Sequence, residues 1–179
     1  MNFELSDEQQ QLADSLGKYL VNHYGFEQRK AIVHSDGGLS DEVWRTFAEM
    51  GLTAIALPEA DGGFGGGAID LMAAMEACGE ALVVEPLAET IVAARLLARA
   101  GSAAQRAAVL PGVIDGSVRL ALACLEPGRR YDTDPQGTQA QRQGEGWLLT
   151  GHKAAVVGAP QARHLLVTAR TDAGPALFL

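Results

Sequence analysis

At Val118 the hydrophobic pattern of this chain changes from a helical period of about 3.6 residues to the alternation or short apolar runs of strands. That switch limits the chain to an α-helical part followed by a β part, an α+β architecture. The junction begins with the apolar run Val118-Arg119-Leu120-Ala121-Leu122-Ala123-Cys124-Leu125, which breaks at Glu126-Pro127-Gly128. A charged turn, Arg129-Arg130-Tyr131-Asp132, comes next, and a polar spacer leads to Gly146-Trp147-Leu148-Leu149-Thr150-Gly151-His152-Lys153 and then Ala154-Ala155-Val156-Val157. Ligands are commonly held where two kinds of layer meet, so this stretch is the first place to seek a site.

Upstream of the switch the spacing predicts five or six helices joined by short loops. Ser6 with Gln9 forms a capping box ahead of Leu12, Leu16, Tyr19 and Leu20. Phe26 to His34 reads as a short second helix, followed by the loop Ser35-Asp36-Gly37-Gly38. Ser40 caps a helix whose face carries Val43, Phe47 and Met50, and Gly51 suits its C′ position. Leu52 to Pro58 is a possible strand before a glycine-rich stretch, and a long helical pattern follows from Ile69 to Leu82. Pro86 is expected at the first position of the next helix, which stops at Gly101. Ser102 and Gln105 make a second capping box, while Pro111-Gly112 and Asp115-Gly116 read as punctuation.

Downstream, Trp147-Leu148-Leu149 after Gly144-Glu145-Gly146 reads as one arm of a hairpin. His164 to Ala169 is a strand with Leu165, Leu166 and Val167 at its heart, and Ala176-Leu177-Phe178-Leu179 begins another. The expected division is a helical bundle over 1–117 and the beginning of an antiparallel β domain over 118–179. A sheet that stops in mid-strand at a hydrophobic residue suggests a truncated domain.

Composition sets the outer bounds. With 47% hydrophobic and 20% charged residues a packed core is expected and disorder is not. A net charge of −8 argues against a nucleic-acid surface, while leaving room for one basic pocket. No apolar run is long enough to span a bilayer, and the acidic Met1-Asn2-Phe3-Glu4 start is not that of a signal peptide, so a cytoplasmic location is expected. Cys78 and Cys124 lie far apart in apolar runs and read as buried free thiols. The four histidines, His23, His34, His152 and His164, show no metal-ligand spacing, and no catalytic residue or metal site is assigned from the pattern.

Several features have a bland reading beside a functional one. The cluster Gly62-Gly63-Phe64-Gly65-Gly66-Gly67 precedes a helix and resembles a phosphate cradle. It lacks the Lys-Ser/Thr of a P-loop, and no βα alternation follows, so an interhelical loop is the expected reading and an NAD-binding α/β domain is disfavoured. Glu126-Pro127 reads as a strand end, Arg129-Arg130 as a solvated turn, and Trp147 as a hairpin core residue.

The order of these pieces resembles the acyl-CoA dehydrogenase family over the whole chain. Phe3-x-Leu5-Ser6-x-Glu8-Gln9 is similar to the start of that family's first helix, and Gly51-Leu52 through Pro58-Glu59 and Gly62-Gly63-x-Gly65 to its loop before the fourth helix. Ala123-Cys124-Leu125-Glu126-Pro127-Gly128, closed by Asp132, stands where the family has Ala-x-Thr-Glu-Pro-Gly. Gly146-Trp147-x-Leu149-x-Gly151-x-Lys153 resembles the hairpin before its Trp-Ile-Thr flavin contact. The glycine run and Arg130-Tyr131-Asp132 look more particularly like the small subunits of two-gene enzymes of the pimeloyl-CoA dehydrogenase kind.

The resemblance implies a helical domain, a middle β domain and a further C-terminal helical domain, with FAD between the last two. It implies α,β-dehydrogenation of an acyl-CoA thioester, a carboxylate taking the α-proton as the β-hydrogen leaves as hydride to the flavin. The implied partners are the acyl-CoA, a second dehydrogenase subunit in a heterotetramer or a second copy in a homo-oligomer, and an electron-transferring flavoprotein. By position Leu122, Leu125, Ala155 and Val157 fall at flavin contacts and Tyr131, with Arg130 beside it, at the substrate; the catalytic carboxylate is expected beyond Leu179. Leu125 replaces a Thr, Arg129-Arg130-Tyr131 replaces Ala-Gly-Ser, Ala155 replaces the stacking Trp, and Val157-Gly158 replaces Thr-Asn. Two readings follow: a catalytic FAD-binding subunit, or a partner subunit with a degenerate flavin site that braces its partner's.

Overall fold

The structure, a computed structural model, describes residues 4–179. Phe3 of the first-helix motif lies outside the described residues. Six α-helices precede five strands: α1 (Asp7–His23), α2 (Phe26–Val33), α3 (Asp41–Glu49), α4 (Ala68–Glu80), α5 (Leu87–Ala100), α6 (Ala103–Ile114), β1 (Leu120–Ala123), β2 (Gln139–Gln143), β3 (Gly146–Thr150), β4 (His164–Thr171) and β5 (Gly174–Phe178).

The caps explain the helix starts. Ser6 Oγ accepts from Gln9 N while the Gln9 side chain accepts from Ser6 N, and Ser102 and Gln105 repeat the arrangement at α6. Gln9 also donates to Asp70 Oδ1 at 3.1 Å, which ties the start of α1 to that of α4. Ser40 caps α3, and Gly51 follows it with φ 78°.

Three local expectations need correction. Pro86 precedes α5 as its N-cap residue instead of opening it. Pro111 does not interrupt α6: it lies in the last turn, and Asp115 N closes that turn on Pro111 O. Leu52 to Leu57 is not a strand but a succession of buried turns, held by Ala54 N to Gly51 O and Leu57 N to Ala54 O.

Two cores stack along the chain. The first joins α1, α3, α4 and α5 through Leu16, Leu20, Trp44, Phe47, Ala74 and Ile91. The second brings Ala94 and Leu97 of α5 and Leu110 and Val113 of α6 against Leu120 and Leu166 of the sheet. Each Leu or Ile so buried contributes about 1.5–3 kcal/mol relative to exposure. Trp44 donates from Nε1 to Gly116 O at 2.8 Å, and Thr90 Oγ1 of α5 bonds both the carbonyl and the amide of Leu120. The helical layer is thereby fastened to β1.

The sheet is mixed. The β2–β3 and β4–β5 hairpins are antiparallel as expected, but β1 runs parallel to β4 with Leu120 opposite His164, and β2 meets β4 in parallel at Gln139 and Arg170. The long β2–β3 hairpin connection between β1 and β4 supplies the crossover that parallel pairing of those two strands requires.

Candidate functional site

The site is built around Glu126, directly after β1. Its side chain is 5% exposed and its carboxylate accepts from Gln136 N (3.0 Å), Gly137 N (2.7 Å), Thr138 N (2.8 Å) and Lys153 Nζ (3.0 Å). Lys153, itself 8% exposed, also reaches Thr168 Oγ1 of β4 at 3.0 Å. Burial alone would push this carboxyl up; the backbone donors of Gly137, Thr138 and Gln136 and the ammonium of Lys153 outweigh it and hold it well below the usual carboxylate range. Glu126 is thus a locked ion, not the simple strand end expected from Glu126-Pro127. It ties the segment after β1 to that after β3, and Ala154 N donates to Leu125 O at 2.9 Å across the joint.

That joint brings together the four residues expected at a flavin. Leu122, Leu125, Ala155 and Val157 line one depression of about 230 Å³, together with Cys124 and with Ala88, Glu89 and Val92 of α5. Among the described residues no intramolecular acceptor pairs with the backbone N–H of Leu125, Ala155 or Val157. Unspent donors at an open apolar wall are binding capacity. None of the four residues offers an aromatic ring or a side-chain hydroxyl.

A second groove of about 620 Å³ adjoins the first, sharing Ala88, Glu89 and Val157. It runs between α4, the turn into α5 and the segment around Gly158, and is largely apolar. Glu85 on its wall is 5% exposed; Oε2 accepts from Tyr24 Oη at 2.6 Å and Oε1 from Ser40 N at 3.0 Å. Burial first, then Glu85, raises the Tyr24 phenol; burial likewise pushes the Cys78 thiol, on the same wall, up to about 11. A third depression, of about 630 Å³ between α1 and α4, contains none of the expected site residues.

Among the described residues three non-glycine residues have positive φ: Leu82 (53°), Arg130 (21°) and Ala155 (50°). Leu82 lines the larger groove, Ala155 the smaller, and Arg130 lies on the charged turn. Such strain costs of order 1–3 kcal/mol and concentrates at functional sites.

Arg130 and Tyr131 line neither groove. Tyr131 is 88% exposed, with the Arg130 guanidinium 5.6 Å from its ring centre. Asp132 pairs with Arg129, not with Arg130. Trp147 packs edge-on against Phe178 at 5.4 Å, remaining 43% exposed.

The glycine stretch is not a phosphate cradle. Gly63, Phe64, Gly65 and Gly66 donate their N–H groups to Pro58, Ala54, Leu57 and Ile55 carbonyls. A Cβ on Gly63 would meet Leu57 O at 2.3 Å, and one on Gly66 would meet Ile55 O at 2.5 Å. The glycines permit close packing on the 52–58 turns. Both cysteines are free, Cys78 buried and Cys124 partly so, and no cluster of metal-binding side chains occurs among the described residues.

Comparison with known proteins gives this geometry its context. The family model for the acyl-CoA dehydrogenase N-terminal domain matches residues 6–117. The chain belongs to the acyl-CoA dehydrogenase family. It is 32% identical to the acyl-CoA dehydrogenase FadE12 of Mycobacterium tuberculosis, over 99% of this chain and 47% of that protein. A variant of the Tcur3481–Tcur3483 steroid ACAD superposes with a TM-score of 0.88 at 38% identity, covering 96% of this chain and 47% of that one. The ChsE4–ChsE5 complex from Mycobacterium tuberculosis gives a TM-score of 0.87 at 28% identity, covering 99% and 48%. The likeness to two-chain enzymes expected from the glycine run and Arg130-Tyr131-Asp132 is met in these solved two-component structures. The chain spans about half the length of the relatives it matches. Among the described residues no helix is long and apolar enough to cross a membrane.

Proposed function

We propose that this chain is a subunit of an FAD-dependent acyl-CoA dehydrogenase, and that it forms part of the wall against which flavin and acyl thioester meet. The observation that carries the reading is the convergence of Leu122, Leu125, Ala155 and Val157 on one depression beside the larger groove. The residues present fit FAD through the backbone: unspent N–H donors at Leu125, Ala155 and Val157, and an apolar wall for the ring. FAD, when bound, supplies the electron acceptor that thioester dehydrogenation requires. The chain's own residues then hold and orient. Leu122 and Leu125 exclude water from one side, α5 closes the other, and the Glu126–Lys153 lock keeps the two segments in register. Arg130 and Tyr131, exposed on the turn, are assigned to the CoA portion, where a guanidinium pairs with phosphate.

The assembly is proposed to be heteromeric, with a second dehydrogenase subunit beside this one, the catalytic carboxylate supplied from beyond Leu179, and an electron-transferring flavoprotein reoxidising the flavin in the cytoplasm. The ChsE4–ChsE5 complex supports a two-chain assembly. A second reading is favoured by one observation, the absence of aromatic and hydroxyl side chains from the flavin wall: the chain braces a partner's site and holds no flavin itself.

The visible absorption spectrum of the purified full-length protein, alone and with its co-expressed partner, separates these readings. Stoichiometric flavin on this chain with thioester-dependent bleaching supports the first. Flavin that resides only on the partner supports the second, and no flavin in either state contradicts both.

A further inference from the structure

The larger groove has a feature that a hydrocarbon acyl chain does not explain. Its apolar lining includes Met75, Leu82, Val83, Val84, Leu87 and Val157, yet two carboxylates, Glu85 and Glu89, line it too, and neither Lys nor Arg does. Glu85 spends one lone pair on Tyr24 and one on Ser40 N, whereas an ionised carboxylate accepts about four donors. Glu89 is half-buried and has no hydrogen bond or ion pair among the described residues. It borders both grooves, so it stands where an acyl group passes from one to the other. A plain hydrocarbon in this groove would strip water from Glu89 and return nothing; a donor on the ligand would replace what water gave.

We propose that Glu89, backed by Glu85, selects acyl groups that carry a hydrogen-bond donor, a hydroxyl or a protonated amine, over plain hydrocarbon acyl groups of the same length. This rests on the reading of the groove as an acyl-thioester site. Selectivity comes from a charged acceptor that only one class of ligand satisfies, the arrangement that discriminates most strongly between isosteric ligands.

The test uses the full-length protein in its assembled state and measures dissociation constants for octanoyl-CoA, its monohydroxylated isomers and ω-amino-octanoyl-CoA. The best hydroxylated isomer or the amine is expected to bind about tenfold more tightly than octanoyl-CoA, the worth of one hydrogen bond to a charged group. Glu89→Leu is expected to remove that preference and tighten octanoyl-CoA. Glu89→Gln keeps the preference for a hydroxyl but loses that for an amine, which tells the two donor classes apart, and its unchanged melting temperature shows that the fold is intact. If all the thioesters bind alike to the parent protein and to Glu89→Leu, the selectivity proposal is overturned while the groove assignment stands. If none binds, the acyl-thioester reading falls and the selectivity falls with it.

Discussion

Two segments of this chain are rich in backbone amides beside a helix, and they spend them in opposite ways. In the glycine stretch the N–H groups of residues 63–66 are consumed by carbonyls of the buried turns before it. At the joint after β1 and β3 the N–H groups of Leu125, Ala155 and Val157 have no acceptor among the described residues. The glycine stretch looks more like a ligand loop in the sequence, yet only the second segment keeps donors for a ligand. Beside the second segment stands Glu126, whose bonds to the 136–138 backbone and Lys153 fix the two sides of the joint in place. Donor availability, not glycine content, distinguishes the proposed binding surface.

Breaking the lock should have the largest effect. Glu126→Gln leaves the Lys153 ammonium buried without a counter-ion and is expected to cost about 3–5 kcal/mol in chemical denaturation. The acid limb adds a second check. Native Glu126 is held below its ordinary value near 4.5, so the unfolded chain binds the extra proton between the two values. The contribution is complete above about pH 5 and fades as pH falls through the native value. Stability of the parent protein should therefore drop more steeply in acid than that of Glu126→Gln.

The glycine stretch should respond in stability alone. Gly66→Ala drives a Cβ against Ile55 O and is expected to cost about 1–3 kcal/mol with flavin content per folded protein unchanged. A loss of flavin at full stability would make this stretch a ligand loop after all.

Ala155 sharpens the other side of the comparison. Ala155→Trp supplies a stacking ring at the flavin wall, and flavin retention on dialysis is expected to rise by up to about tenfold, the worth of one aromatic pair. Unchanged retention would move Ala155 away from the ring. The smallest effect belongs to Ala155→Gly, which relieves a positive φ and should raise stability by roughly 0.5–1 kcal/mol in thermal unfolding, part of the relief being lost to glycine's entropy.

How much of this was readable in the sequence follows from the range of each interaction. The capping boxes at Ser6 and Ser102, the Ser40 cap, the Gly51 C′ position and the Gly144-Glu145-Gly146 hairpin turn are closed within a few residues, and their residue types declare them. The parallel β1–β4 pairing and the Glu126–Lys153 lock join distant residues, and no local pattern encodes either. Leu52 to Leu57 misled because a buried run of turns has the same apolar composition as a buried strand. Pro111 misled because proline in a last turn sacrifices one hydrogen bond without stopping the helix. The four flavin-wall positions came from family resemblance, whereas Glu85 and Glu89 were missed because their common groove exists only once α4, α5 and the segment after β3 have packed.

The measurement that bears most directly on the comparison is hydrogen–deuterium exchange of the full-length assembled protein with and without FAD. Slowed exchange at the amides of Leu125, Ala155 and Val157, with residues 63–66 protected equally in both states, is the predicted result. Protection that appears at residues 63–66 on adding FAD, with the joint after β1 and β3 unchanged, would contradict it.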